Sequence, residues 1–309
     1  MPITAELRTV LETKLGKRAV LSEPGDLKLY EYDGGVDKGR PELIVFPRTT
    51  EDVVAIVKLA REYGALIVGR GAGTGLSGGA IARAGGVLIS FARMNRILEI
   101  DIPNERALVQ PGVVNLDISV AVQPFGYFFA PDPSSQRACT IGGNVAENAG
   151  GPHTLAHGVT TNHVLSLEAV LPDGTVIEAG HRAPDAPGYD LVGLLTGSEG
   201  TLALVTKICV RLMREPEAVR TMLAIYNTVD QAGDTVAALT AKGIIPVALE
   251  MLDGPMLRMV EDATHAGYPV DAAAVLLIEV EGLIESVEED AAGIEQVCKA
   301  CGAREFRIA

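Results

Sequence analysis

Apolar residues recur at helical spacing at the start of the chain, at Leu7, Val10, Leu11 and Leu15, so Thr4–Gly16 reads as a helix that Gly16 closes. A polar stretch, Tyr32–Arg40, leads into Leu43–Pro47, which reads as a strand. Thr49-Thr50-Glu51-Asp52 has the Thr-x-x-acid form of a helix start. Val53, Val54, Ile56, Val57, Leu59 and Ala60 then fill one helical face, and Gly64 ends it. Ala65–Val68 returns to strand, so the opening pattern is β-α-β.

From there to about residue 215 the texture changes. Short apolar runs at Val87–Phe91, Ile97–Ile100, Ala107–Gln110, Val164–Leu171, Val176–Glu178 and Leu202–Leu212 alternate with glycine-rich connections. Pro172-Asp173-Gly174 between two of them is a turn, because proline sets φ and glycine accepts positive φ. Within this region only Asn115–Val122 and Asp190–Leu195 read as helical. After Arg214-Glu215-Pro216, strands at Met222–Tyr226, Pro246–Met251 and Ala274–Val280 alternate with helices at Asp230–Lys242, Met256–His265 and Ile284–Cys301. That pattern predicts a small mixed layer. The chain stops at Glu305-Phe306-Arg307-Ile308-Ala309, which reads as a strand begun and not completed, the mark of a fragment.

The chain has 309 residues, which suits about two domains of roughly 100–200 residues each. Hydrophobic residues make up 48%, enough for a core, and a net charge of −14 argues against a broad nucleic-acid surface. No run approaches the roughly 18 apolar residues of a membrane span. Met1–Leu15 lacks a basic lead followed by an apolar core. Four cysteines do not make a disulfide scaffold, so the expected location is a reducing cytoplasm, with peripheral contact to the inner face of the membrane as the alternative.

Glycine is where the chemistry shows. Val68-Gly69-Arg70-Gly71-Ala72-Gly73-Thr74-Gly75-Leu76-Ser77-Gly78-Gly79 places six glycines in twelve residues directly after a strand. Without Cβ, backbone N–H groups can closely approach an anion, and a pyrophosphate is the natural guest, with Thr74 and Ser77 as extra donors. Gly73-x-Gly75-x-x-Gly78, with Glu99 or Asp101 about twenty residues on, imitates a nicotinamide-binding fingerprint. Only Gly79–Ala84 separates it from the next glycine pair and strand, too short for a crossover helix, which with its loops needs about ten to twelve residues. The second cluster comprises Pro131-Asp132-Pro133-Ser134-Ser135 and Cys139–Gly151, whose small residues suit a backbone pressed against a flat ring. The third is Gly197-Ser198-Glu199-Gly200-Thr201. Three clusters over about 130 residues suggest one large, extended ligand.

In this order and spacing, GRGAGTGLSGGA, PDPSSQRACTIGGNVAENAGG, LPDG and TGSEGTLALVT resemble the FAD-linked oxidases of the vanillyl-alcohol oxidase type. Within that group they are most similar to the branch of glycolate oxidase FAD subunits and D-lactate dehydrogenases. The resemblance covers roughly residues 40–216 and continues through Pro246–Glu250, Asp262–Gly267 and Leu276–Gly282. It implies an α+β fold: a helical lead-in over 1–39, a two-subdomain FAD-binding domain of the PCMH type over 40–216, and part of an α/β cap over 217–309. It implies that Arg70, Gly71, Ala72, Gly73, Thr74, Gly75, Leu76 and Ser77 hold the FAD pyrophosphate. Pro131, Ser135, Cys139, Thr140, Gly142, Gly143 and Asn144 would line the flavin and its ribityl chain, with Asn148, Gly150 and Gly151 close by. Glu199 and Val205 would lie near the adenosine half.

Covalent relatives often carry histidine where Thr74 stands, so the resemblance implies non-covalent FAD. It further implies hydride transfer from a small 2-hydroxy acid to flavin, with an iron–sulfur subunit or a quinone taking the electrons. The alternative is a catalytically incomplete FAD subunit that docks an iron–sulfur partner. Family members extend beyond Ala309 into a histidine-rich segment credited with metal binding and proton abstraction, so no catalytic residue is assigned here.

Other features read as structural. His153-x-x-x-His157 lacks an evident third ligand and sits in poor helix material, so it is not taken as a metal site. Cys298-x-x-Cys301 reads as two buried thiols one helical turn apart. The acidic run Glu285–Asp290 reads as a solvated helix face, and Arg70 and Arg93 are within sequence reach of phosphates.

Overall fold

The computed structural model describes residues 5–182 and 187–309. By packing, the residues up to Gly150 together with Val159–Arg214 form one unit, and Gly151–Gly158 with Glu215–Ala309 form another.

The first unit contains two sheets, each with its own core. A four-stranded sheet runs in the order Val20–Leu21, Leu43–Val45, Val87–Ser90, Ile67–Arg70, with the last three strands parallel. The helix Thr50–Glu62 covers it, burying Val53, Ile56 and Val57 against Val45, Val87 and Ile89, with Leu7 and Leu11 of the helix Ala5–Leu15 beside them. The first helix is described from Ala5; Thr4, where the periodicity starts it, lies outside the described residues. Thr49 caps the second helix by accepting from Asp52 N at 3.2 Å, while the Asp52 carboxylate accepts from Arg48 N at 2.9 Å, one residue further out than a capping box. The second sheet is antiparallel, in the order Ile97–Asp101, Arg106–Val109, Leu204–Arg211, Val164–Val170, Val176–Gly180. Its core joins Val109, Leu167 and Ile208 to Ile118, Ile141 and Val145.

Here the structure corrects the sequence reading. Besides Asn115–Val122 and Leu191–Leu195, residues Ile141–Glu147 and Thr154–His157 are helical. Gly142 and Gly143 depress helix propensity and hide the pattern. The helix nevertheless forms because Thr140 caps its start and Asn148 ends it in the left-handed region at φ 50°.

The second unit is an antiparallel sheet in the order Ala248–Asp253, Ala274–Gly282, Ala218–Tyr226, Glu305–Ile308. Alternation assigns its two faces. Met222, Ala224, Leu276 and Ile278 pack under the helices Val229–Ala241 and Ile284–Ala300, while Ile225 and Val275 pack under Leu257 of the helix Gly254–Thr264. The terminal segment is a paired strand, with Ile308 opposite Met222 and Glu305 opposite Ile225.

Candidate cofactor site

Ile67–Arg70 is an edge strand of the parallel sheet, and at its carboxyl end the chain breaks into the first glycine cluster. Open α/β sheets bind ligands beyond the carboxyl ends of their strands. The loop is pinned at discrete points. The Arg70 side chain turns beneath it, donates to Ala80 O at 3.3 Å and lies 5.6 Å from the Tyr30 ring centroid. Gly73 has φ +72°, a conformation L side chains rarely adopt, and a Cβ there would displace the Arg70 guanidinium. Burial pushes the Arg70 pKa down, opposed by Tyr30, Asp33 and Tyr32. Arginine stays charged regardless, so a positive charge underlies the loop.

Between these pins, among the described residues, the backbone amides from Ala72 to Ser77 donate to no protein group. A row of unengaged amides on a glycine-rich turn is an anion cradle.

The second cluster is bonded to this loop, and the third to the second. A Cβ on Gly71 would overlap Thr140 Oγ1, the cap of the helix Ile141–Glu147. Ser77 Oγ donates to Glu147 Oε2 at 2.6 Å. Gly197 N and Glu199 N donate to Val145 O and Ala146 O at 2.7 and 2.9 Å, which fastens the third cluster to the same helix. Beneath them Asn115, 1% exposed, donates to both Pro131 O and Asn144 Oδ1 at 3.0 Å. Asn144 Nδ2 in turn lies 3.4 Å from Cys139 Sγ.

The resulting cleft has two lobes. One is lined by Gly71, Ala72, Gly73, Thr74, Gly75, Ser135, Cys139, Thr140, Gly143, Asn144 and Glu199. The other takes in Arg70, Gly142, Gly143, Glu199 and Val205, walled by apolar Phe91, Pro111 and Leu204. Gly71, Gly143 and Glu199 border both lobes. A polar cradle continuous with an apolar slot fits a ligand that joins a pyrophosphate to flat rings, as FAD does.

Six residues of the sequence reading do not line the two lobes with their side chains. The Leu76 side chain is exposed and the Ser77 hydroxyl bonds Glu147, while the main-chain amides of both belong to the unengaged row. Pro131 serves through its carbonyl, and Asn148 ends a helix while its Oδ1 accepts from Thr161 N at 2.9 Å. Gly150 lines neither lobe, and Gly151 belongs to the second unit. Arg93 is also elsewhere, 5.0 Å from the Phe46 ring centroid and donating to Arg18 O. Sequence reasoning missed Asp33, Glu147 and Phe91. Glu147 lay within a quoted motif, but nothing in the spacing around Asp33 or Phe91 pointed to a ligand.

The two histidines of the His-x-x-x-His motif each meet a carboxylate on the strand Ala274–Gly282: His153 Nε2 lies 3.0 Å from Glu279 and His157 Nε2 2.8 Å from Glu281. Among the described residues no group of three or more His, Cys, Asp or Glu side chains is arranged to hold a metal ion. Cys298 is fully buried and Cys301 partly so, both as free thiols.

Comparison with known proteins gives the same assignment. The family model for the FAD binding domain matches residues 41–180, and that for the FAD linked oxidases, C-terminal domain, matches residues 215–309. Glycolate oxidase subunit GlcD of Escherichia coli (strain K12) is 47% identical over 281 residues, covering 91% of this chain and 56% of the relative. D-lactate dehydrogenase of Anaerostipes hadrus is 36% identical over 260 residues, covering 82% of this chain and 54% of the relative. The chain thus spans a little over half the length of these relatives. The solved structure of alkyldihydroxyacetonephosphate synthase superposes with a TM-score of 0.84 at 20% identity, covering 99% of this chain and 60% of that one, a likeness of fold. The chain belongs to the FAD-linked oxidases, carrying the family's FAD-binding domain followed by the matched part of its C-terminal domain.

Proposed function

We propose that this chain binds FAD non-covalently and forms the cofactor-binding part of an oxidoreductase acting on a small 2-hydroxy acid of the glycolate or D-lactate type. The observation that carries the reading is the uninterrupted row of free amides from Ala72 to Ser77 in a cleft completed by the other two glycine clusters. FAD, when bound, supplies the acceptor for a hydride from the α-carbon of the substrate. The protein supplies binding and orientation. The main-chain amides of Ala72–Ser77 would hold the pyrophosphate, the buried Arg70 charge would offset its negative charge, and the apolar wall of Phe91, Pro111 and Leu204 would exclude water from a ring.

Thr74 offers no nitrogen to bond the flavin, which supports reversible binding. The substrate class rests on relatives whose names specify glycolate oxidase and D-lactate dehydrogenase. The Escherichia coli relative is by name a subunit, and we assign the electrons' exit to a partner such as an iron–sulfur subunit or to a quinone. Among the described residues no helix is long and apolar enough to cross a membrane.

The test is spectroscopic. The protein is loaded with FAD and desalted, its visible spectrum is recorded, and D-lactate or glycolate is added without air. Flavin bands that persist and then bleach support the whole reading. Bands that persist unbleached restrict it to a cofactor-binding, docking role. Loss of the bands on desalting overturns it.

A further inference from the structure

The FAD-binding family model begins at residue 41, yet the glycine loop is shaped from outside that boundary. Residues 30–39 double back through a bridge between Tyr32 and Lys38, and Gly39 N donates to Glu31 O at 2.8 Å. This strap lies along both arms of the loop. On one arm Gly34 N donates to Gly75 O at 2.9 Å, and a Cβ on Gly34 would come within 2.8 Å of Thr74 O and 3.0 Å of Gly75 O. On the other arm, a Cβ on Gly39 would meet the Ala82 and Arg83 main chain at 2.7 Å, and Arg83 pairs with Asp37 at 3.1 Å.

At the centre sits Asp33, only 8% exposed. One carboxylate oxygen accepts from Gly35 N at 2.7 Å and turns the strap. The other accepts from Gly78 N at 3.1 Å, across 45 residues. A buried carboxylate beside an anion-binding loop is a liability unless it performs a local task, because it repels the guest and is costly to desolvate. Its task lies at Gly78. Among the described residues Gly78, in the left-handed region at φ +86°, is the one amide from Ala72 to Ala80 that donates to a protein group, and its acceptor is Asp33.

We infer that Asp33 is a positioning residue of the cofactor site. It holds Gly78 N–H out of the cradle and, with Gly34 and Gly35 packed on Thr74–Leu76, sets the curvature that leaves the Ala72–Ser77 amides for the FAD pyrophosphate. The inference rests on the FAD reading proposed above, and it places the lead-in segment inside the functional unit.

The experiment compares wild type with Asp33→Asn. Asparagine keeps the size and one accepting oxygen but turns an NH2 toward one of the two amides. FAD affinity is measured by quenching of flavin fluorescence, and amide hydrogen exchange is followed in the protein without FAD. The expected result is at least a tenfold weaker Kd, about 1.4 kcal/mol, with faster exchange confined to residues 74–78 and unchanged exchange in Thr50–Glu62 and Val87–Ser90. A purely structural role would instead speed exchange throughout the parallel sheet and its covering helix. Gly34→Ala, which leaves Asp33 intact but displaces the loop main chain, is expected to weaken FAD binding similarly, and it decides the matter should Asp33→Asn not fold. Wild-type affinity and local exchange in a folded variant overturn the inference while leaving the FAD reading intact. Failure of the wild type to bind FAD overturns the FAD reading itself.

Discussion

Thr50 Oγ1 donates a 2.6 Å hydrogen bond to Glu168 Oε1 across 118 residues of sequence. The same carboxylate accepts from Thr206 Oγ1 at 2.8 Å and pairs with Lys207 Nζ at 2.7 Å, so one acid ties the helix over the parallel sheet to the antiparallel sheet. Burial pushes the Glu168 carboxyl up, but the bonds from Lys207, Thr50 and Thr206 outweigh it and hold the group below its ordinary value of 4.5. A carboxyl depressed in the folded state stabilises that state above its unfolded value and loses the contribution as pH falls through the folded one. Glu168→Ala is therefore expected to cost roughly 1–3 kcal/mol at pH 7. The gap to wild type should be constant above about pH 4.5 and close below it, as urea unfolding at several pH values will show.

Gly71→Ala should abolish FAD retention. The new methyl overlaps Thr140 Oγ1, so either the loop or the helix cap must move. Displacing the cap carries a further cost of about 1 kcal/mol. Flavin absorbance after desalting, alongside circular dichroism to confirm folding, is the measurement.

Asn115→Ala removes a buried donor shared between Pro131 O and Asn144 Oδ1. Leaving Pro131 O without its side-chain donor, and Asn144 Oδ1 with only the weak Cys139 thiol, is expected to destabilise the first unit by roughly 1–3 kcal/mol. FAD affinity should fall as well, because Asn144 borders the cleft. Thermal unfolding and a flavin titration separate the two effects.

Acid precipitation of the FAD-loaded protein is expected to leave all flavin in the supernatant, since Thr74 cannot bond the ring. Flavin fluorescence in the pellet would contradict this.

His157→Ala removes the largely buried partner of Glu281 and should loosen the Gly151–Gly158 segment. Faster limited proteolysis within 150–159 than in wild type is the expected outcome, with cleavage elsewhere unchanged.

Long periodic elements were legible in the sequence because their apolar faces are their reason for folding; Thr50–Glu62 and Ile284–Ala300 are examples. Ile141–Glu147 was not, because its helicity comes from the Thr140 cap and from packing of Ile141 and Val145, against the propensity of two glycines. The glycine clusters were legible as a candidate ligand site because glycine is costly anywhere its freedom is unused. Asp33 and Phe91 were not, because their roles arise from contacts with segments distant in sequence, which no local spacing encodes. Pro131 and Asn148, expected beside the ligand, accept from Asn115 Nδ2 and Thr161 N, and neither borders the two lobes.

Gly151–Gly158 packs with the second unit although both of its flanks belong to the first. The polypeptide therefore passes between the units three times, at residues 150–151, 158–159 and 214–215. No single cut yields two complete modules. A version ending at Arg214 would keep His153 and His157 but lose Glu279 and Glu281, and the remainder would lose the histidines. Any attempt to transplant the cofactor half onto another scaffold must carry that loop's receptor strand with it or replace the loop outright.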